Sequence, residues 1–214
     1  MQNTIDEKVA RIAHEFQEGF NFIAKYPRSV SFFGSSRLAP EHHYSTQAEH
    51  LAGRIVRELG YAVITGGSQG IMEAANKGAF EAKGESIGLN IKLPKKQTEN
   101  RFTTDSMEFS YFFARKVALS YAAEAYIFFP GGFGTLDEFF EVLTLVQTHK
   151  IRRVPIFLFG SDYWKPLQDF IRTQLLELNN TVSKSDLLLY AITDDEEKII
   201  EAIRAVPVVD GLRH

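Results

Sequence analysis

Residues 125–141, AYIFFPGGFGTLDEFFE, constrain the fold more than any other part of the chain. An apolar run ends at Pro130, three glycines follow, and acidic, helix-forming sequence comes next. This order is typical of a buried strand that enters a helix through a short loop. Because Gly131, Gly132 and Gly134 lack a Cβ, a ligand can approach the loop backbone, and the free N–H groups of a helix start attract anions. The segment therefore predicts a phosphate site.

A second glycine loop stands upstream, in YAVITGGSQGIMEAANKGA. Gly66, Gly67 and Gly70 follow an apolar run and open another helical segment. One glycine loop is weak support for a nucleotide site, but two in a chain of 214 residues predict a phosphate held from two sides.

Strand and helix patterns alternate along the whole chain. The predicted strands cover about residues 28–34, 61–65, 85–91, 107–109, 125–129, 154–160 and 187–192. The predicted helices cover about residues 4–25, 45–59, 68–82, 111–124, 135–147, 164–178 and 194–206. Repeated strand–loop–helix units predict an α/β, Rossmann-like fold with a doubly wound, mainly parallel sheet and helices on both of its faces.

The chain length fits one domain, residues 1–214, with residues 1–27 forming an N-terminal helix packed on it. Thr4 and Glu7 have the spacing of a capping box at the start of this helix. Residues 92–106 are polar and lack periodicity, which predicts a long loop that covers the site.

Composition excludes several classes of function. The absence of cysteine rules out disulfides, thiolate nucleophiles and thiolate-bound metals, and the six histidines lack metal-ligand spacing, so we expect no metal. Charges are interspersed and sum to −3, which argues against nucleic acid as a partner. No apolar run approaches a membrane span of ~20 residues, and the charged N-terminal segment does not resemble a signal peptide. We therefore expect a cytoplasmic protein without a membrane partner.

Ligands of open parallel sheets bind beyond the carboxyl ends of the strands. Residues 34–37, 66–70 and 130–135 would gather at that edge. The dinucleotide fingerprint G-x-G-x-x-G is missing from all three segments, which disfavours a nicotinamide-dependent dehydrogenase.

FFPGGFGTLDE at 128–138, preceded by Arg115-Lys116 and by GGSQGIME at 66–73, resembles the LOG family of nucleoside 5′-monophosphate phosphoribohydrolases, over about residues 29–205. The resemblance implies cleavage of the N-glycosidic bond of AMP or cytokinin riboside monophosphates to free base and ribose 5-phosphate, in a homodimer and without a cofactor. It also implies that Arg115 and Glu138 are the catalytic pair. Members are often labelled lysine decarboxylases, but this chain shows no recognisable pyridoxal-phosphate site.

Family resemblance and loop chemistry together give a set of candidate substrate and phosphate contacts. They are Ser35, Gly66, Gly67, Gly70, Lys116, Gly131, Gly132, Gly134 and Thr135.

The chemistry of N-glycoside hydrolysis suits the two catalytic candidates. Positive charge builds on the ribose C1′ as the base leaves, so the Glu138 carboxylate can stabilise that charge, orient the sugar hydroxyls or activate water. The Arg115 guanidinium can hold the phosphate or stabilise charge on the departing base. The sequence leaves the role of Arg115, the general acid and the preferred base open.

Structural roles compete with the functional ones. Thr135 and Glu138 have the T-x-x-E spacing of a capping box, and Ser68 has the position of a helix N-cap. Arg115 and Lys116 could equally be solvated surface cations.

Most phenylalanines near the motifs are predicted to lie in the core: Phe112, Phe113, Phe128, Phe129, Phe139 and Phe140. Phe133 lies inside the glycine loop, where it could stack on a base or pack against a neighbouring loop.

A nucleotide or molybdenum-cofactor carrier that uses the same pocket without hydrolysis is the alternative function. An intact Arg115 and Glu138 pair favours the enzyme.

Overall fold

The computed structural model describes residues 2–93 and 100–207. Seven strands form one sheet: β1 (Ser29–Phe33), β2 (Ala62–Thr65), β3 (Ser86–Ile91), β4 (Asp105–Phe109), β5 (Ala125–Phe128), β6 (Ile156–Leu158) and β7 (Ala191–Ile192). The helices are α1 (Gln2–Ile23), α2 (His43–Leu59), α3 (Ile71–Glu81), α4 (Phe112–Tyr121), α5 (Phe133–Gln147), α6 (Ser161–Phe170) and α7 (Glu196–Arg204). A π-helical segment, Ile171–Leu178, continues α6.

Every strand pair in the sheet is parallel, and the strand order is β4-β3-β2-β1-β5-β6-β7. The chain therefore builds the sheet outward from β1 in one direction and then returns to add β5 on the other side of β1. The predicted Rossmann-like fold is confirmed. Loops that leave β1 and β5 diverge at this reversal point, which is where ligands of such sheets bind.

Apolar cores lie on both faces of the sheet. In β5, Tyr126 and Phe128 belong to the core under α1, α4, α5 and α6, whereas Ala125 and Ile127 belong to the core under α2, α3 and α7. Side chains alternate between the faces of a strand, so a strand covered on both sides must be apolar at consecutive positions. This explains the unbroken apolar runs before the glycine loops.

The N-terminal helix packs on α4 and β4. Phe22 and Ile23 of α1 are buried in the core, and the Tyr26 hydroxyl donates a hydrogen bond to Asp105 at 2.8 Å. Because α1 already includes residues 2 and 3, Thr4 lies within the helix and the predicted start there is wrong.

One strand prediction is wrong, and one loop prediction falls partly on residues that the structure does not describe. Residues 94–99 of the predicted long loop lie outside the described residues. The predicted strand at 187–192 is largely wrong, since Asp186–Leu188 is a 3-10 helix and only Ala191–Ile192 pairs with β6. The Asp186 carboxylate accepts from the Ser183 amide at 2.8 Å, so local turn bonds compete with strand pairing at the sheet edge.

Candidate functional site

Hydrogen bonds between backbones join the three loops at the carboxyl edge of the sheet. The amide of Ser35, after β1, donates to the carbonyl of Pro130, after β5, at 3.0 Å. The carbonyl of Ser35 accepts from the amide of Ile71, at the start of α3, also at 3.0 Å. One residue thus connects both glycine loops, which brings sequence-distant segments together at the topological reversal point.

A cavity of about 810 Å³ opens between these loops. Most of the predicted site residues line it: Ser35, Gly66, Arg115, Lys116, Gly131, Gly132, Gly134, Thr135 and Glu138. Its other lining residues include Arg37, Phe112, Phe133 and Tyr163. The cavity is large enough for a nucleoside monophosphate.

Gly67 and Gly70 are not among the residues that line this cavity. Both have φ of +68°, a conformation that favours glycine. A Cβ on Gly67 would lie 1.5 Å from Oδ1 of Asn90, and a Cβ on Gly70 would lie 2.2 Å from the carbonyl oxygen of Ser35. The Asn90 side chain beside Gly67 and the Ser35 backbone beside Gly70 therefore explain both glycines without a ligand, and their phosphate contact stays a prediction.

Helix α5 begins earlier than the sequence predicts. Its N-cap is Gly132, and the carbonyl of Gly132 accepts from the amides of Thr135 and Leu136 at 3.0 and 3.1 Å. Thr135 therefore lies inside the first turn, and no side chain caps the helix, so the predicted cap and the capping-box interpretation of Glu138 are wrong. The first helical turn is already closed by the bonds to the Gly132 carbonyl, three residues before Thr135.

Space beside this helix start is open. A Cβ built on Gly132 or Gly134 would meet no atom within 4 Å. The first amides of a helix have no acceptor within it, and the helix dipole favours negative charge there. The start of α5 is therefore accessible to an anion.

The predicted N-cap of α3 at Ser68 is also wrong, because the N-cap of α3 is Gly70.

Two backbone carbonyls hold Arg115, one within β3 and one directly after β2. Its Nε donates to the carbonyl of Leu89 at 2.7 Å, and its Nη2 donates to the carbonyl of Gly66 at 3.1 Å. Burial lowers the pKa of Arg115, and the nearby Glu138 carboxylate opposes that change. The side chain is therefore a fixed, partly desolvated cation whose remaining donors can meet an anion.

Glu138 is a buried carboxylate without a hydrogen-bond partner on one oxygen. Its side chain is 8% exposed, and among the described residues Oε2 has no partner. Burial raises the pKa of Glu138 from 4.5 to about 7; Lys116 and Arg115 oppose this rise, while Glu141 and Asp137 add to it. Such a group in a cavity marks a candidate for substrate contact or proton transfer.

Lys116 forms ion pairs with the carboxylates that flank Glu138. Its Nζ lies 2.7 Å from Oδ2 of Asp137 and 2.7 Å from Oε2 of Glu141. Burial disfavours the ammonium, but these two partners outweigh that cost and raise the pKa of Lys116. The predicted phosphate contact of Lys116 stays a prediction, and its observed contacts are to α5.

Aromatic side chains near the site divide into two groups. Phe128, Phe129 and Phe139 are fully buried, as predicted. Phe112, Phe113 and Phe140 are exposed, so their predicted core positions are wrong. Phe112 lies at the cavity, whereas Phe113 on α4 and Phe140 on α5 lie outside the cavity lining.

Phe133 and Tyr163 stand at the cavity. Phe133 is 92% exposed, so it does not pack against a neighbouring loop. Tyr163, which sequence reasoning missed, donates from its hydroxyl to the carbonyl of Gly131 at 2.5 Å. No sequence motif marks Tyr163, because a tyrosine at the start of a helix has no fixed role.

The described residues, 2–93 and 100–207, hold neither a cluster of metal ligands nor a membrane-spanning helix. No three histidine, aspartate or glutamate side chains there are grouped so as to hold a metal ion. No helix within those ranges is long and apolar enough to cross a membrane.

Comparison with known proteins gives matches over most of the chain. A family model described as "possible lysine decarboxylase" matches residues 72–203. A cytokinin riboside 5′-monophosphate phosphoribohydrolase of Rhodococcoides fascians is 26% identical over 184 residues, which cover 84% of this chain and 90% of that protein. The Arabidopsis thaliana enzyme LOG3 is 30% identical over 156 residues, 69% of each protein.

Among solved structures, the molybdenum cofactor carrier protein of Chlamydomonas reinhardtii has a similar fold. Its TM-score is 0.61 at 21% identity, over 84% of this chain and 97% of the carrier. At this identity the likeness concerns the fold alone. The match of the family model over more than half of the chain, together with these relatives, shows that the chain belongs to the LOG family.

Proposed function

We propose that this chain hydrolyses the N-glycosidic bond of a purine or cytokinin nucleoside 5′-monophosphate to free base and ribose 5-phosphate. One observation carries the proposal. Glu138, a buried carboxylate with an unpartnered oxygen, lines the same cavity as Arg115 and the exposed start of α5. Membership of the LOG family and the names of the relatives support it.

The 5′-phosphate of the substrate would bind at the start of α5. Gly132 and Gly134 leave room beside the helix amides, and the dipole of a helix of 15 residues favours an anion there. Arg115, held by two carbonyls, adds a fixed positive charge at the cavity. These groups would bind the phosphate, and the ribose C1′ would then lie near Glu138.

In the reaction, water adds to C1′, the bond from C1′ to the base nitrogen breaks, and the base leaves with a proton. The ionised Glu138 would orient the water or sugar hydroxyls and stabilise the positive charge at C1′. Because the Glu138 carboxylate is shielded from solvent, its effect on that charge is stronger than it would be in water.

A non-catalytic carrier with the same pocket is the alternative, supported by the fold that the chain shares with the Chlamydomonas carrier. A carrier has no need of a buried, unpartnered carboxylate beside a fixed arginine. Keeping such a carboxylate ionised costs stability, which favours catalysis as its purpose.

The test incubates the purified chain with AMP, GMP, CMP, UMP and isopentenyladenosine monophosphate and measures free base by chromatography. We expect release from at least one purine nucleotide and a loss of at least about a hundredfold in Glu138→Gln, the size typical of losing a key electrostatic group. Glu201→Gln is the matched control, because it makes the same change at an exposed carboxylate of α7 that does not line the cavity. Nucleotide binding without release from wild type would favour the carrier.

A further inference from the structure

The first turn of α6 is bonded to the glycine loop of residues 130–135. The Tyr163 hydroxyl donates to the carbonyl of Gly131 at 2.5 Å, across 32 residues of sequence. Tyr163 also lines the cavity and is 40% exposed. This contact belongs to neither glycine motif, so it connects the loop to an element outside it.

Tyr163 is itself held in place by its neighbours. Trp164 is fully buried, and its indole Nε1 donates to the carbonyls of Phe128 and Phe159 at 3.2 and 3.0 Å. The Asp194 carboxylate accepts from the amides of Gly160 and Ser161 at 2.8 and 2.9 Å. The start of α6 is therefore fixed relative to the end of β5, two residues before the loop begins.

The carbonyl bond fixes the direction of an amide. In a trans peptide the C=O and the N–H of one unit point in opposite directions, and no cis peptide occurs in the described residues. The bond from Tyr163 to the Gly131 carbonyl thus sets the rotation of the unit that carries the Gly132 N–H. The bond from the Ser35 amide to the Pro130 carbonyl does the same for the Gly131 N–H.

Two consecutive glycines would otherwise rotate freely, and ordering them on binding would cost free energy. A loop held by two carbonyl bonds has already met that cost before the ligand arrives. The bond from Ser35 comes from within the cluster of loops, whereas the bond from Tyr163 is the one that a single side-chain change can remove.

We propose that Tyr163 is a positioning residue for phosphate binding, which holds the Gly131–Gly132 peptide in the orientation that receives the anion. The inference rests on the proposed function only in taking phosphate as the guest of this loop. Tyr163 acts through the loop backbone, because a phosphate dianion carries no proton to donate to its oxygen while the hydroxyl proton is engaged by Gly131.

The test compares wild type with Tyr163→Phe in calorimetric titrations with inorganic phosphate and with ribose 5-phosphate at pH 8. Loss of one hydrogen bond predicts about three- to tenfold weaker binding of both probes. For AMP hydrolysis, KM should rise by a similar factor while kcat stays within about twofold, because uniform binding is lost and Glu138 is untouched. Tyr26→Phe is the matched control, since it removes a hydroxyl bonded to Asp105.

Each other outcome has a definite meaning. Unchanged phosphate affinity in Tyr163→Phe, or no phosphate binding by wild type, overturns the proposal. Weakening confined to ribose 5-phosphate assigns Tyr163 a direct sugar contact and also overturns it. Weaker phosphate binding in a protein that releases no base leaves Tyr163 in its role and refutes the proposed hydrolase. If Tyr163→Phe unfolds, the NMR order parameter of the Gly132 amide in wild type without phosphate decides: a value below about 0.6 contradicts a fixed peptide.

Discussion

At the scale of single residues, Glu138 links stability to function. Its folded pKa of about 7 lies above the usual 4.5 because burial disfavours the carboxylate. The folded protein therefore binds the Glu138 proton more tightly than the unfolded chain does. This contribution to stability is fully present below pH 4.5 and is lost as the pH rises to about 7.

Glu138→Gln removes this ionisation, so we expect the variant to be more stable than wild type at pH 8, by up to about 3 kcal/mol. At pH 4.5 the two proteins should unfold alike. Urea unfolding of both at several pH values checks the prediction. A constant difference across the range would show that ionisation of Glu138 costs the fold nothing.

The same pKa predicts that wild-type turnover increases as the pH rises through about 7, since the ionised form is the one proposed to act.

Two glycines of the α5 loop and two other motif residues show how far a sequence motif predicts the contacts of single residues. Gly132 and Gly134 were predicted to expose backbone, and both lie beside open space. Lys116 and Gly70 carry the same type of motif signal, yet Lys116 pairs with Asp137 and Glu141, and Gly70 makes room for the Ser35 carbonyl. A motif identifies the segment, but the contacts of each residue depend on segments far away in sequence.

At the scale of elements, α1 supports the helix that carries Arg115. The Glu15 carboxylate accepts from the amides of Ser110 and Tyr111 at 2.6 and 3.0 Å, at the start of α4. The N-cap residue of α4, Tyr111, makes no cap hydrogen bond with its own side chain. A residue of α1 therefore caps α4 from outside.

Glu15→Ala should lower the free energy of unfolding by about 1 kcal/mol, the typical effect of losing a cap, and lower Tm by about 2–4 °C. Differential scanning calorimetry measures both. Glu18→Ala is the control, because Glu18 is an exposed carboxylate on the same helix. Equal effects of the two changes would mean that Glu15 contributes only charge.

The elements also show where sequence patterns fail. Apolar runs located β1, β2, β3, β5 and β6, because parallel strands covered on both faces are mostly apolar. The pattern LLLYAI failed because Leu187 and Leu189 pack on the core from a 3-10 turn, while Leu188 is exposed. Side-chain burial is possible from either backbone form, so apolar content alone did not distinguish them.

At the scale of the whole molecule, the expected homodimer remains a prediction, and the outer faces of α4 and α5 indicate where it would form. Phe113 on α4 and Phe140 on α5 are 47% and 39% exposed, and neither lines the cavity. Exposed aromatic side chains on adjacent helices are typical of interfaces.

Light scattering on a gel-filtration column should give twice the mass of one chain. Phe140→Asp should shift that mass toward one chain, because a buried charge at an interface disfavours association. Phe170→Asp is the control, since Phe170 is 55% exposed on a different helix, α6. A wild-type mass of one chain would contradict the dimer.

The sequence by itself determined the fold class and located the two glycine loops, because apolar strand runs and glycine positions are local properties of the chain. The family resemblance of its motifs added the prediction that Arg115 and Glu138 are the catalytic pair. Only the tertiary structure decided that Gly132 rather than Thr135 begins α5, that Lys116 binds α5 carboxylates, and that Tyr163 holds the glycine loop. The contacts of Lys116 and Tyr163 join segments tens of residues apart, whereas the start of α5 is set by bonds from the Thr135 and Leu136 amides to the Gly132 carbonyl. The sheet order, which places β5 beside β1, creates those contacts, and no local pattern encodes their geometry.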